Sequence, residues 1–252
     1  MDAARAAPCL GLAAPDVTLK ANYSIPEIWA VEEDEARARA QASALREAGL
    51  RVVLTTGQAL AAIPPHAPVQ QVSVTEHGVD LLAEGQPVGL TWDTEFVGVY
   101  YTPRAGGPKE APSRVVHEQG ATCHAPFFDL YVPGGDVPKR YAALTDLTMF
   151  SRLGGPTTLS PAGLVAHFVQ FCEERFTAGQ VDRRLVNMQV RHWPGPAARR
   201  TSQVIRKGFS FASFGLAELL DQLGPDLVGL SHCEFASRLV YLTRRFGEDA
   251  GA

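Results

Sequence analysis

Between residues 69 and 102 apolar and polar side chains alternate with a period of two, in short runs broken by turn residues. Residues 69–74, 78–83, 88–92 and 95–102 predict four antiparallel strands in one contiguous meander. Its turns fall at Glu76-His77-Gly78, Glu84-Gly85-Gln86 and Trp92-Asp93-Thr94. Trp92 and alternate residues of the last strand are expected to face inward.

Upstream the period changes. The apolar run Glu27-Ile28-Trp29-Ala30-Val31 precedes an Ala-rich amphipathic stretch over 33–48, then Gly49, then Leu50-Arg51-Val52-Val53-Leu54. Acids crowd the start of the middle stretch and a glycine follows its end, as a helix requires, so residues 27–54 predict a β-α-β unit with parallel strands. A short helical turn over 58–63 ends at Pro64-Pro65.

Downstream, residues 103–125 hold Pro103, Gly106-Gly107-Pro108 and Pro112 among few apolar residues, the composition of a linker or long loop. Residues 126–132 alternate and predict a strand, and 140–150 predict a second extended run. Ser160 then caps a helix whose first position is Pro161 and whose apolar stripe is Leu164, Val165, Phe168, Val169, Phe171 and Cys172, reaching Phe176. Residues 181–190 predict a short helix or strand, and 216–223 and 234–246 predict helices. Phe235, Leu239, Leu242 and Phe246 share one side of the last.

These elements give an α+β architecture: an N-terminal β-α-β unit, a central antiparallel sheet and a helical C-terminal part. The expected domains are a flexible N-terminus over 1–26, the β-α-β unit plus meander over 27–102, the linker over 103–125 and an α+β domain over 126–252.

Within the meander, Val72-Ser73-Val74, Gly78-Val79-Asp80-Leu81, the Glu84-Gly85 turn, Val88-Gly89-Leu90-Thr91-Trp92-Asp93 and Phe96-Val97-Gly98-Val99 carry a resemblance. Residues 69–102 resemble the first strands of bacterial PH-like β-barrel domains, where a strand ending in Trp and an acid precedes a V-x-V strand. The resemblance implies a fold used to bind lipids, peptides or partner proteins, with no enzymatic chemistry attached.

Composition narrows the class. A hydrophobic share of 46% and a charged share of 20% are those of a packed globular protein. No apolar run approaches the roughly 18 residues that a membrane-spanning helix needs. The opening Met1-Asp2-Ala3-Ala4-Arg5 lacks the basic and apolar regions of a cleaved signal, which predicts a cytoplasmic protein. Cys9, Cys123, Cys172 and Cys233 show no C-x-x-C spacing and read as reduced thiols. All but four of the 23 basic residues are Arg, a usage that points to a GC-rich bacterial genome.

Reactive constellations are weak. The local pairs Cys123-His124 and His232-Cys233, with His117, are the candidates for a metal site. Neighbours on a strand point to opposite faces, however, so neither pair chelates alone, and no metal or other cofactor is expected. Ser210 in Gly208-Phe209-Ser210-Phe211-Ala212 lacks the second glycine of a nucleophile elbow. The Gly-Gly pairs lack phosphate-loop spacing, and Glu32-Glu33-Asp34-Glu35 would repel a phosphate from the start of the first helix, where these acids suit the helix dipole.

Charge is the one uneven feature. Residues 183–207 hold Arg183, Arg184, Arg191, Arg199, Arg200, Arg206 and Lys207 without an acid, against 27 acids in the rest of the chain. Arg191, Arg199, Arg200, Arg206 and Lys207 are the candidate anion-binding residues, for nucleic acid or an acidic membrane surface, and Trp193 is a candidate stacking group. A sequence pI near 6.0 argues against a dedicated nucleic-acid binder. The expected function is therefore that of a non-catalytic binding or regulatory protein acting through protein–protein contacts. Anion binding is the alternative, and an enzyme or metal protein whose site is assembled from distant His, Cys and Ser residues is the second alternative.

Overall fold

The computed structural model describes residues 1–22, 26, 28–30, 32, 34–102, 126–134, 137–143, 147–152, 155–156, 159–186 and 232–246. They combine helices with a curled mixed sheet, so the chain is α+β. Two compact units divide it: Met1–Ala62 with Pro194–Ala252, and Ile63–Trp193.

The described part of the first unit is helical. Residues 3–21, within the stretch expected to be flexible, form α1 (Ala3–Leu10) and α2 (Ala14–Ala21). Asp2 caps α1 by accepting from the N–H groups of Ala4 and Arg5 at 3.1 and 3.2 Å, and Gly11 ends it at φ 63°. Ala6, Ala7 and Val17 bury against Leu45 and Ala48, and these small side chains let the helices approach closely. The predicted helix is α3 (Glu35–Glu47), capped by Asp34 from the N–H of Arg37 at 2.8 Å and followed by Gly49 at φ 84°.

Among the described residues the flanking strands of a β-α-β unit are not found: residues 28–30 and 50–54 lie outside every strand. Trp29, Leu50 and Val52 instead pack against the helical cluster. The carbonyl of Val52 accepts from Arg46 Nε and Nη2 at 3.2 and 2.9 Å, so a side chain supplies what a neighbouring strand would have supplied. Thr56 Oγ1 accepts from the N–H of Ala59 at 3.0 Å at the start of α4 (Gly57–Ala62). In α6 (His232–Phe246), Phe235, Leu239 and Leu242 are buried as their spacing predicts, whereas Phe246, expected on the same side, is half exposed.

The second unit is the sheet. Its strands are β1 (Ala67–Val74), β2 (Gly78–Ala83), β3 (Gln86–Thr91), β4 (Phe96–Tyr101), β5 (Phe127–Val132), β6 (Lys139–Ala143), β7 (Met149–Arg152), β8 (Gly155–Pro156) and β9 (Gly179–Asp182), with α5 (Pro161–Arg175) between β8 and β9. The order is β3-β2-β1-β6-β5-β4-β9, and β7 pairs with β1 and β8. The strands of the predicted meander are present, but only β1, β2 and β3 pair consecutively. β4 lies between β5, antiparallel, and β9, parallel. The turn at Trp92–Asp93 thus carries the chain across to the other half of the sheet.

The curl originates in β1. Its first residues pair in parallel with β6 and residues 71–73 pair in parallel with β7, with a register shift between Val69 and Gln71. Thr148 donates its N–H and Oγ1 to the carbonyl of Gln70 at 2.9 and 3.2 Å, holding the bulge open. The extra residue lets Val69 and Val72, three apart, both enter the core.

Hairpin β2–β3 turns through Glu84 and Gly85 at φ 51° and 75°, the two positive angles of a type I′ turn. The N–H of Trp92 donates to His77 at 3.3 Å, which fixes the parity of the ladder. Val79/Leu90, Leu81/Val88 and Ala83/Gln86 exchange main-chain bonds, so the main-chain groups of Pro87, Gly89 and Thr91 point to the open side of β3. Pro87 has no N–H there. Thr91 donates its N–H to Thr94 Oγ1 at 2.9 Å and accepts from the N–H of Thr94 at 3.0 Å.

α5 matches its predicted pattern. Ser160 Oγ accepts from the N–H of Gly163 at 3.2 Å, Pro161 opens the helix, and the stripe from Leu164 to Cys172 is buried. It packs with Val69, Val79, Leu81, Leu90, Phe96, Phe128, Leu130 and Phe150 in one core, so the sheet curls around this helix. Trp92 is half-buried at its C-terminal end, 5.9 Å from Phe171 and 5.5 Å from Phe176, ring to ring, and donates Nε1–H to the carbonyl of Glu76 at 2.8 Å. Two glycines make room for aromatic rings. A Cβ at Gly179 would lie 2.2 Å from the Phe96 ring, and one at Gly98 would lie 2.5 Å from the Phe128 ring.

Candidate functional site

The unusual chemistry of the sheet lies on the face turned away from α5. Strands β4, β5 and β6 are buried on both faces, save the exposed Lys139 and the half-buried Val132 at their ends. Toward α5 they present Phe96, Tyr100, Phe128, Leu130, Tyr141 and Ala143. The register places Val97, Val99, Tyr101, Phe127, Asp129, Tyr131, Arg140 and Ala142 on the other face.

Asp129 and Arg140 form an ion pair there, Nη2 to Oδ2 at 2.9 Å, with both side chains 1% exposed. Tyr101 donates its hydroxyl to Asp129 Oδ2 at 3.2 Å and stacks on Phe127 at 5.2 Å. The Arg140 guanidinium lies 5.4 Å from the centre of the Tyr131 ring. Cross-strand geometry builds this group: Tyr131 is directly opposite Arg140, and Asp129, two residues away on the same face, reaches it diagonally. A charge pair this far from water persists only with good geometry and further polar contacts: the Tyr101 hydroxyl donates to the carboxylate and the Tyr131 ring faces the guanidinium.

One strand beyond β4, Asp182 continues the same face opposite Val99 and is buried. It accepts from Arg184, from the N–H at 2.9 Å and from Nε at 2.8 Å. Arg183 clasps Glu173 with Nε and Nη2, each at 2.7 Å, and sits 5.1 Å above Tyr100. The hydrogen bond to Glu173 holds this guanidinium above its ordinary range. Arg183 and Arg184, the first bases of the basic stretch, are therefore both engaged with carboxylates.

Arg191, Arg199, Arg200, Arg206, Lys207 and Trp193 lie outside the described residues, as do His117, Cys123, His124 and Ser210. His232 and Cys233 open α6. Of the acids before α3, Asp34 is the helix cap and Glu32 and Glu35 face Arg37 and Arg39 at 3.4 and 2.6 Å. No group of three metal-ligating side chains occurs among the described residues. Burial pushes the Cys172 thiol well above its usual range, so it is held as a neutral thiol and a poor nucleophile. His167 packs against Phe150, rings 4.8 Å apart.

Asp129 and Arg140 were not among the candidates drawn from the sequence. Their signal was present: one acid inside Phe127-Phe128-Asp129-Leu130-Tyr131-Val132, and one Arg beside Tyr141-Ala142-Ala143. Charges in the middle of apolar strands are rarely buried unless paired. Among the described residues, no helix is long and apolar enough to cross a membrane. Comparison of the chain with known protein families, curated proteins and solved structures finds no match.

Proposed function

We propose that this chain is a non-catalytic binding or regulatory protein that acts through protein–protein contacts. The observation that supports this reading is the engagement, among the described residues of the sheet unit, of Asp129, Arg140, Asp182, Arg183, Arg184 and Cys172 within the fold. Asp129 holds Arg140, Asp182 holds Arg184, Glu173 holds Arg183, and the Cys172 thiol is kept neutral in the core. Groups so engaged stabilise and orient strands, and what the molecule then offers a partner is the shape of its surface. The likeness of residues 69–102 to PH-like domains points the same way, through a fold class that binds peptides, proteins or lipids. We place the chain in the cytoplasm of a bacterium on its Arg-rich composition and on cysteines without C-x-x-C spacing.

Anion binding through Arg191, Arg199, Arg200, Arg206 and Lys207 is the competing reading, and the pairing of Arg183 and Arg184 with acids weighs against it. A titration separates the two. The purified chain is expected to bind DNA, RNA and anionic vesicles more weakly than about 1 μM at physiological salt. It is expected to form a stoichiometric complex with a protein isolated with it and then purified. Submicromolar polyanion binding that falls steeply with salt, and is lost in Arg199→Ala/Arg200→Ala, would overturn the protein-contact reading.

A further inference from the structure

In β4, β5 and β6 the hydrophobic pattern does not state which face belongs to the core. β5 carries Phe127 and Tyr131 on one face and Phe128, Leu130 and Val132 on the other, and both faces are buried apart from the half-buried Val132 at the strand end. β4 sets Val97, Val99 and Tyr101 against Phe96, Gly98 and Tyr100, and all six are buried. A one-residue slip exchanges the two faces of a strand, and here the exchange trades one apolar set for another of similar size. Burial alone discriminates poorly between the two arrangements.

The charges do discriminate. Asp129 on β5 and Arg140 on β6 share the face away from α5, paired at 2.9 Å and 1% exposed. Exchanging the faces of β5 would carry Asp129 from Arg140 and the Tyr101 hydroxyl into the cluster of Leu164, Phe168 and Phe150. A carboxylate buried without its partner there is heavily penalised, and Arg140 would be left behind. We propose that the Asp129–Arg140 pair is a face selector, a conformational device that decides which side of the β5–β6 hairpin meets α5. Its contribution is to specificity of packing more than to net stability, since an apolar pair of equal volume fills the same space.

The test uses the full chain and the double variant Asp129→Leu/Arg140→Met, with Asp129→Asn as companion. The double variant is expected to retain helix and sheet signal by circular dichroism but to show two or more sets of amide resonances for residues 127–143. Deuterium uptake there should rise about tenfold or more, because two packings differing by less than about 1.4 kcal/mol are both populated. The Asn variant keeps a polar group that is disfavoured beside α5, and it is expected to show a single set of resonances with an unfolding equilibrium constant raised on the order of 100-fold. A single, wild-type-like set of resonances in the double variant would overturn the proposal. So would loss of folding in the double variant, which would assign the pair to stability rather than to selection.

Discussion

Strands β1 to β3 and strands β4 to β6 belong to one curled sheet and solve opposite problems. In β2, Val79, Leu81 and Ala83 enter the core while Asp80 faces water, and in β3 Leu90 is buried between exposed Gly89 and Thr91. There the difference between core and solvent defines the faces, and a slip would expose one set and bury the other. In β4 to β6 both faces are dry, and that difference is gone. Shape and charge take its place: Gly98 and Gly179 receive the rings of Phe128 and Phe96, and Asp129 receives Arg140. A sheet half covered on both sides carries its instructions in a few residues, whereas a half-wet sheet spreads them along its length.

That contrast gives an order of sensitivities. The largest effect is expected in the doubly covered half: Arg140→Met alone leaves the Asp129 carboxylate buried without its guanidinium and should cost about 3–5 kcal/mol. The loss would be read as a fall in urea midpoint with an unchanged m-value. Next comes Gly179→Ala, whose Cβ must displace the Phe96 ring from 2.2 Å, itself packed edge-on to Phe176 at 5.1 Å. Overpacking of this kind costs about 1–3 kcal/mol, and the near-ultraviolet aromatic signal should shift with it. The smallest effect, and the one of opposite sign, is expected in the half-wet region. Glu84→Asn places a residue tolerant of positive φ in the β2–β3 turn and should stabilise by about 0.5 kcal/mol, measured as a rise in Tm of a few degrees or less. A greater loss at Gly179 than at Arg140 would break the comparison by giving shape precedence over charge.

The same contrast explains what could be read from the residues. α5 was legible because Ser160, Pro161 and a 3.6-residue stripe agree on its start and its buried side. The β2–β3 hairpin was legible from alternation and the Glu84-Gly85 turn. The neighbours of β4 were not, since its six residues are all buried and no alternation shows which strands flank it. Apolar residues at 28–30 and 50–54 resembled strands, yet Trp29, Leu50 and Val52 are needed by the α1–α3 cluster, and Arg46 already binds the Val52 carbonyl. Helices α1 and α2 escaped notice because each is only eight residues long and contains a proline, and at α1 the cap Asp2 carries the signal instead. At the candidate site the residues singled out for their charge, Arg191 to Lys207, lie outside the described residues. The buried pair escaped attention because Asp129 is a single charge in an apolar strand and Arg140 follows Lys139 at a strand start, and pairing across 11 positions is a property of the hairpin rather than of either strand.

Strand β3 bears on how this molecule meets other copies of itself in a crowded solution. A bare strand edge is a template on which another chain can continue the sheet, and growth of that kind leads to fibres. Pro87 offers no donor on that edge, and Thr91 has already closed its N–H and C=O onto Thr94. Gly89 is left between two terminated positions, too short a stretch to seat an incoming strand. Among the described residues no strand pairs with this border, and Pro87 and Thr91 withhold two of the three donors that an incoming strand would need there.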